Sequence, residues 1–215
     1  MKTRIVLLGP PASGKGTQAE MIRAKYKIET PSVGAILREQ AAAGTEIGLA
    51  AERFTRDGRL VPDQMIVAVV ETWLADHDGE FVFDGFPRTV GQAEALEVLL
   101  TKRLTPLELA ISLEVEIDSI QERVSRRMVC GSCGFIVSVG WHVENADSPC
   151  PRCGARLHRR KDDTLDALEQ RMIEYREKSE PLIPFYAERG ILRHVDAHNR
   201  PEMVFAAISA ALEER

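Results

Sequence analysis

The feature that most restricts the fold is the glycine-rich segment that follows the first apolar run of the chain. The run from Arg4 to Leu8 is typical of a strand buried on both faces of a parallel sheet, and helical spacing begins at Gln18. Between them, Gly9-Pro-Pro-Ala-Ser-Gly14-Lys15 matches GxxxxGK, the phosphate-binding loop (P-loop) pattern. Backbone N–H groups, the lysine and the helix N-terminus of such a loop attract phosphate oxygens. The segment therefore predicts a strand, a phosphate-binding loop and a helix in succession.

Three more segments have the length and composition of buried strands. They are Glu80 to Phe83, Leu109 to Leu113 and Ile191 to Val195, and amphipathic helical stretches separate them. Strands that alternate with helices in this way are typical of an α/β fold with a parallel sheet. Glycine and proline interrupt the helical pattern between Arg38 and Val70, which predicts short helices forming a flap beside the sheet.

The size and charge of the chain argue against several classes of protein. Its 215 residues suffice for one main domain, and a net charge of -5 disfavours a protein whose whole surface binds nucleic acid. The apolar stretch from Ile5 to Leu8 is too short for a signal-peptide core or a membrane span. We therefore expect a cytoplasmic protein with neither a membrane nor a nucleic acid as partner.

All four cysteines lie close together in the sequence, as Cys130-Gly-Ser-Cys133 and Cys150-Pro-Arg-Cys153. Two CxxC knuckles at this spacing predict a tetrahedral four-thiolate zinc site with a structural role, although iron or cobalt would accept the same ligands. His142 and His158 are spare ligands or, in the interpretation that we favour, surface histidines. A zinc ribbon can also indicate nucleic-acid binding, which the acidic chain disfavours.

The residue after the P-loop lysine lacks the hydroxyl group that usually binds magnesium. Lys15 is followed by Gly16 and then Thr17, so Mg²⁺ needs another ligand. Asp84, at the carboxyl end of a predicted buried strand, is the candidate, and we expect it to hold Mg²⁺ through water. The alternative is an aspartate that only forms a turn before Gly85.

Three runs of sequence closely resemble the adenylate kinases, specifically the long-lid bacterial type. They are GPPASGKGTQAE at 9–20, DGFPRTVGQAEAL at 84–96 and RRKDD at 159–163, and the resemblance extends over essentially the whole chain. It implies an α/β fold with a P-loop NTPase-like parallel sheet flanked by helices, a helical flap that binds the nucleoside monophosphate and a small zinc-ribbon lid. The implied boundaries are a core of 1–31, 62–127 and 161–215, a flap of 32–61 and a lid of 128–160.

The resemblance also implies an activity and the residues that perform it. The expected reaction is ATP + AMP = 2 ADP, with Mg²⁺ bound to ATP, a structural Zn²⁺, and a monomeric enzyme whose partners are ATP, AMP and ADP. The catalytic residues would be Lys15, Arg88, Arg127, Arg160 and Arg171. The ATP-binding residues would be Gly9, Pro10, Pro11, Ala12, Ser13, Gly14, Lys15, Gly16, Thr17, Arg123, Arg127 and Asn199. The AMP-binding residues would be Val33, Arg38, Arg59, Leu60, Val61, Gly85, Phe86, Pro87, Arg88, Gln92, Arg160 and Arg171.

The chain departs from the family pattern near both nucleotides. Val33 and Ala35 stand where the family usually has a threonine and an aspartate, Met128 ends an unusual Ser-Arg-Arg-Met run, and Val137 replaces a frequent lid tyrosine. Gln92 still favours adenine as the acceptor base. Two alternatives therefore stay open: a related kinase that uses UMP, CMP or GMP as acceptor, and a nucleotide-binding protein without catalytic activity.

Overall fold

The computed structural model describes residues 1–56, 61–77, 79–159 and 163–214. In chain order its elements are β1 (Arg4–Leu8), α1 (Lys15–Tyr26), α2 (Val33–Ala42), α3 (Glu46–Arg56), α4 (Asp63–Asp76), β2 (Phe81–Asp84), α5 (Val90–Lys102), β3 (Leu109–Glu114), α6 (Ile117–Arg126), β4 (Arg127–Cys130), β5 (Ile136–Ser138), β6 (Leu157–His158), α7 (Leu165–Glu174), a π-helical turn (Tyr175–Ser179), α8 (Leu182–Glu188), β7 (Leu192–Asp196) and α9 (Pro201–Glu213). Among the described residues, no helix is both long and apolar enough to cross a membrane.

The main sheet is parallel and has the strand order β2-β1-β3-β7. Side chains of β1 alternate between two hydrophobic clusters, with Val6 and Leu8 in one and Ile5 and Leu7 in the other. Helices α2, α4, α5 and α8 pack into the first cluster, and α1 and α9 into the second. A strand covered on both faces excludes water throughout its length, which is why its sequence is continuously apolar.

The order of the strands places the P-loop between two other strand ends. Because β1 lies between β2 and β3, the loop after β1 stands beside Asp84 of β2 and Leu113 of β3. The chain before α2 also runs along β2, through parallel bridges from Glu29 to Phe81 and from Ser32 to Asp84. The start of α2 is thereby brought to the same edge of the sheet.

A second, antiparallel sheet of three strands, in the order β5-β4-β6, lies between α6 and α7. Its interior contains five buried residues, which are Met128, Cys130, Val137, Cys150 and Leu157. So small a cluster buries little apolar surface, and a module of this size usually needs a disulfide or a metal to fold.

The sequence pattern predicts that Arg123 and Arg127 lie one turn apart on the same helix, and that Pro181 and Pro184 break a helix before the last strand. The structure corrects two points of these expectations. Arg127 does not continue the helix of Arg123, because α6 ends at Arg126 and Arg127 opens β4. Pro184 does not break a helix before the last strand, since it lies in the first turn of α8 (Leu182–Glu188). A proline costs no helical hydrogen bond there, because the N–H groups of the first turn have no partner within the helix.

Candidate active site

The P-loop joins β1 to α1 through backbone conformations that favour glycine. Gly9 has a φ of 136°, and a Cβ atom there would lie 2.7 Å from the carbonyl oxygen of Leu113 on β3. Gly14, the N-cap residue of α1, has a φ of 103°. The close approach of β3 leaves no room for a side chain at position 9, and α1 starts with its free N–H groups at the loop.

The ammonium group of Lys15 lies inside the P-loop. Its Nζ donates hydrogen bonds to the carbonyl oxygens of Gly9 (2.7 Å) and Pro10 (2.8 Å) and to Oγ of Ser13 (3.3 Å). The pKa of Lys15 is lowered to about 8, mainly by burial; the Asp84 carboxylate opposes this shift and nearby guanidinium groups add to it. Those guanidinium groups belong to Arg88, Arg127 and Arg171. Four cationic side chains therefore gather around one loop, an arrangement suited to a polyanion.

Asp84 ends β2 and lies against the first turn of α1. A Cβ atom at Gly16 would be 3.2 Å from Oδ2 of Asp84, so the glycine that replaces the usual hydroxyl residue leaves space for this carboxylate. Burial raises the pKa of Asp84, and the charges of Lys15 and Arg88 lower it. A divalent cation nearby would offset the cost of burying the negative charge, and oxygen ligands suit Mg²⁺. Asp84 thus fits the magnesium role expected from the sequence.

Arg127 and Arg171 converge on a buried carboxylate, that of Asp163. Nε of Arg127 donates to Oδ2 of Asp163 at 2.7 Å, its Nη2 donates to Oδ1, and Nη2 of Arg171 donates to Oδ1 at 3.3 Å. The Asp163 side chain is only 1% exposed. Its charge holds two mutually repelling guanidinium groups together. The sequence alone does not predict this role, because nothing local distinguishes Asp163 from an aspartate at a helix start.

Arg123 joins the P-loop to the loop that follows β7. Its Nη1 donates to the carbonyl oxygen of Ser13 at 3.1 Å, and its Nη2 donates to that of Ala197. Asn199 lies in the same loop, where Nδ2 donates to Oδ2 of Asp196 at 3.1 Å. The structure thus brings Arg123 and Asn199, both expected near ATP, to one side of the P-loop.

The residues expected to bind AMP lie around the end of β2. Val33, Val61 and Phe86 belong to one hydrophobic cluster, and Pro87 is also buried. Arg88 is exposed and donates from Nε to the carbonyl oxygen of Gly85 at 2.8 Å. Two further residues of the described set are Arg38, exposed on α2, and Gln92, buried on α5, while Arg171 lies on α7 beside Asp163. Arg59, Leu60 and Arg160 lie outside the residues that the structure describes.

The four cysteine sulfurs all lie within 4.8 Å of one another. Cys130 and Cys153 are separated by 3.4 Å between Sγ atoms, and Cys133 and Cys150 by 3.7 Å, while all four cysteines are free thiols. Zinc–sulfur bonds of about 2.3 Å in a tetrahedron place sulfurs roughly 3.8 Å apart. The thiols therefore fit a four-coordinate zinc ion that leaves no position open for a substrate.

The zinc-ribbon module rests on the first helix of the core. Cδ1 of Ile136 would be 3.8 Å from a Cβ atom at Gly16, and Nη1 of Arg152 lies 3.0 Å from Oε1 of Glu20. His142 accepts a hydrogen bond at Nδ1 from the backbone of Ser138 at 3.0 Å, so this ring is engaged within the module. The zinc-ribbon module therefore lies beside the first turns of α1, next to the P-loop.

A family model described as adenylate kinase matches residues 7–191. The chain belongs to the adenylate kinase family. Curated relatives agree over nearly the full length: the adenylate kinase of Thermodesulfovibrio yellowstonii is 39% identical over 214 residues, covering 99% of this chain and 100% of the relative. That of Moorella thermoacetica is 40% identical over 211 residues, 97% of each chain, and that of Archaeoglobus fulgidus is 37% identical over 212 residues, 98% of each.

Two of the departures from the usual adenylate kinase pattern, Met128 and Val137, have a local structural explanation in the zinc-ribbon module. Val137 pairs with Met128 across β4 and β5, and both are buried in the module interior. Neither side chain is therefore available to a nucleotide. Trp141 is 46% exposed and its ring lies 4.0 Å from that of His142, which makes it a surface residue of the module.

Proposed function

We propose that this member of the adenylate kinase family catalyses reversible phosphoryl transfer, ATP + AMP = 2 ADP, at the P-loop. The observation that carries the proposal is the set of guanidinium groups around Lys15, contributed by Arg88, which bonds to Gly85, and by Arg127 and Arg171, which both bond to Asp163. Transfer between two bound phosphates needs alignment and neutralisation of spreading negative charge, and it needs no protein nucleophile. Planar guanidinium groups serve both requirements because each can hold two oxygens and stays charged.

Each side of the site has a distinct part in this proposal. The P-loop from Gly9 to Thr17, with Arg123 and Asn199, binds ATP. The loop from Gly85 to Arg88 binds AMP together with Val33, Arg38, Val61, Arg171 and Gln92, and the amide of Gln92 contacts the acceptor base. Arg59, Leu60 and Arg160 complete the proposed set. Mg²⁺ bound with ATP supplies charge neutralisation at the phosphates, and Asp84 would hold it through water. Zn²⁺ would hold the cysteine knuckles together and take no part in the chemistry.

We further propose that residues 32–61 form a flap and residues 128–160 a lid, which close over AMP and ATP respectively. Contacts of Ile136 and Arg152 with α1 support a lid position that excludes water from the P-loop. Excluding water prevents hydrolysis of ATP before transfer, and lid opening often limits turnover in such enzymes. The free thiols of Cys130, Cys133, Cys150 and Cys153 support a reducing compartment such as the cytoplasm, and the enzyme would act as a monomer.

The proposed reaction is tested by measuring ADP formation from MgATP with a panel of acceptors: AMP, UMP, CMP, GMP, or none. We expect AMP to have the highest kcat/KM and ATP alone to give little ADP, because transfer requires the acceptor site to be filled. A higher kcat/KM with a pyrimidine or guanine nucleotide would contradict the assignment of AMP. ATP binding without transfer to any acceptor would support a non-catalytic nucleotide-binding protein.

The lowered pKa of Lys15 predicts how ATP use depends on pH. We expect kcat/KM for MgATP to fall as pH rises past about 8, because only the protonated ammonium group attracts phosphate and kcat/KM reports groups of the free enzyme. In the ATP complex the phosphates raise the pKa of Lys15 again, so kcat should stay constant to higher pH. Steady-state kinetics over a range of about three pH units centred near pH 8 measure both parameters.

A Lys15→Arg variant is the control for this pH profile. Its guanidinium group stays protonated throughout the range, so the decrease centred near pH 8 should be absent even if the variant is much less active. An unchanged profile in the variant would assign the titration to another group.

A further inference from the structure

The side-chain amide of Gln92 is fixed at both of its polar atoms. Gln92 is only 2% exposed and lies in the first turn of α5. Its Oε1 accepts a hydrogen bond from the backbone N–H of Arg88 at 2.7 Å, and its Nε2 donates to Oδ1 of Asp63 at 2.7 Å. The other carboxylate oxygen of Asp63 accepts from Oγ1 of Thr89 at 2.6 Å. Asp63 therefore connects the start of α4 to the start of α5.

These two partners determine which way the amide faces. A backbone N–H can only donate, and a carboxylate offers only acceptors, so a flipped amide would set NH₂ against N–H and oxygen against carboxylate. Each misplaced contact would be buried and unsatisfied. The observed orientation leaves one Oε1 lone pair and one Nε2 hydrogen of Gln92 for a ligand.

We propose that Asp63 is a specificity-determining, positioning residue, which locks the Gln92 amide in the orientation that accepts an adenine edge and rejects a 6-oxopurine edge. The proposal rests on the function proposed above, in which Gln92 contacts the acceptor base. Adenine presents an N6 donor beside the N1 acceptor, which match the free oxygen lone pair and the free N–H of Gln92. Hypoxanthine presents an O6 acceptor beside an N1 donor, and it would require the flipped amide.

The contact between Asp63 and Gln92 matters for rejecting IMP as much as for binding AMP. A glutamine that could rotate freely would bond either purine edge equally well, so Gln92 alone does not select AMP over IMP. Selection requires that the flipped amide be unfavourable, which the Asp63 carboxylate and the Arg88 N–H both ensure. Asp63 is the part of this lock that a side-chain substitution can remove, since every residue except proline keeps the backbone N–H at position 88.

The experiment compares AMP with IMP as acceptors for MgATP, because the two nucleotides differ only at this base edge. In an Asp63→Asn variant the new amide can present either oxygen or NH₂ to Gln92, so the flipped state becomes accessible. We expect the ratio of kcat/KM for AMP to that for IMP to fall by about tenfold or more, most of it from improved use of IMP relative to AMP. An unchanged ratio would overturn the proposal.

Two further variants separate positioning from support of the fold. Asp63 is also an acidic residue in the first turn of α4, as exposed Asp166 is in the first turn of α7. An Asp166→Asn variant removes the same helix-terminal charge and should leave the ratio as in the wild type. In a Gln92→Ala background, the Asp63→Asn change should have no further effect on the ratio, because Asp63 acts through Gln92.

The outcomes distinguish this proposal from the proposed function. Wild-type protein that transfers phosphate to neither nucleotide would contradict the function itself. A wild type that strongly prefers AMP, with an Asp63→Asn variant that melts at a lower temperature but keeps the ratio, would leave the function standing and give Asp63 a structural role only. A ratio that still changes in the Gln92→Ala background would show that Asp63 acts by another route.

Discussion

Replacing Lys15 with methionine is expected to lower kcat for ADP formation by about 10³-fold, which is the lower end of the effect of a cation that contacts a transferring phosphoryl group. Lys15 Nζ is bonded to the P-loop backbone and is close enough to Asp84, Arg127 and Arg171 for their charges to act on it, so its charge is enclosed by the site. Methionine has a similar length and no charge. Coupled measurement of ADP formation at saturating MgATP and AMP gives kcat directly.

The matched control is Lys102→Met, which removes the same charge from the exposed end of α5. Its kcat should stay within about twofold of the wild type, because an isolated surface charge contributes little. The melting temperature of both variants must be measured as well. If Lys15→Met retains most of its activity while remaining folded, the P-loop is not the site of phosphoryl transfer.

Removing the metal from the cysteine knuckles should unfold the lid and leave the main sheet intact. Structural zinc sites contribute about 10–16 kcal/mol of folding free energy, far more than the five-residue interior of β4 to β6 can supply. With a strong chelator we expect release of one metal ion per chain and rapid proteolysis within 128–160. We also expect kcat to fall about 10²-fold, because a disordered lid would no longer position Arg160, the residue of this segment proposed to be catalytic. Metal analysis, limited proteolysis and coupled measurement of ADP formation follow the three changes, and far-ultraviolet circular dichroism tests whether the main sheet stays intact.

A Cys133→Ser variant should reproduce the effect of the chelator, whereas Ser132→Ala, in the same knuckle, should not. Serine at position 133 removes one thiolate ligand, while alanine at position 132 leaves all four. Unchanged protease resistance and an unchanged melting curve after complete metal removal would show that the lid folds without metal.

The features that the sequence predicts well are those that depend on neighbours along the chain. The apolar runs of β1 and β3, the GxxxxGK spacing and the two CxxC pairs each specify local geometry, and the α/β fold with its parallel sheet was confirmed. Residue periodicity also predicted helices between Arg38 and Val70, where α2, α3 and the start of α4 are found. Local patterns suffice here because backbone conformation and burial are set mainly within each element.

The features that the sequence does not reveal depend on contacts between distant elements. Asp163 and Asp63 both resemble ordinary helix-start aspartates, yet one holds Arg127 and Arg171 together and the other holds Gln92. Which acid meets which partner is decided by how the helices pack on the sheet, and no spacing rule expresses it. Val137 is a further example. The sequence shows only that a frequent tyrosine is missing there, whereas the burial of Val137 in the module interior follows from its pairing with Met128 on the neighbouring strand. The roles proposed for the nucleotide-binding residues stay predictions until the variants are measured.

The bond between Arg127 and Asp163 has an evolutionary consequence. The bond joins the start of β4 to the residue two positions before α7, so the chain segment between Arg127 and Asp163 has its two ends held together. The entropy needed to bring such ends together grows only slowly with the number of residues enclosed. Over evolution, changes in the length of that segment should therefore cost little free energy as long as Arg127 and Asp163 stay paired.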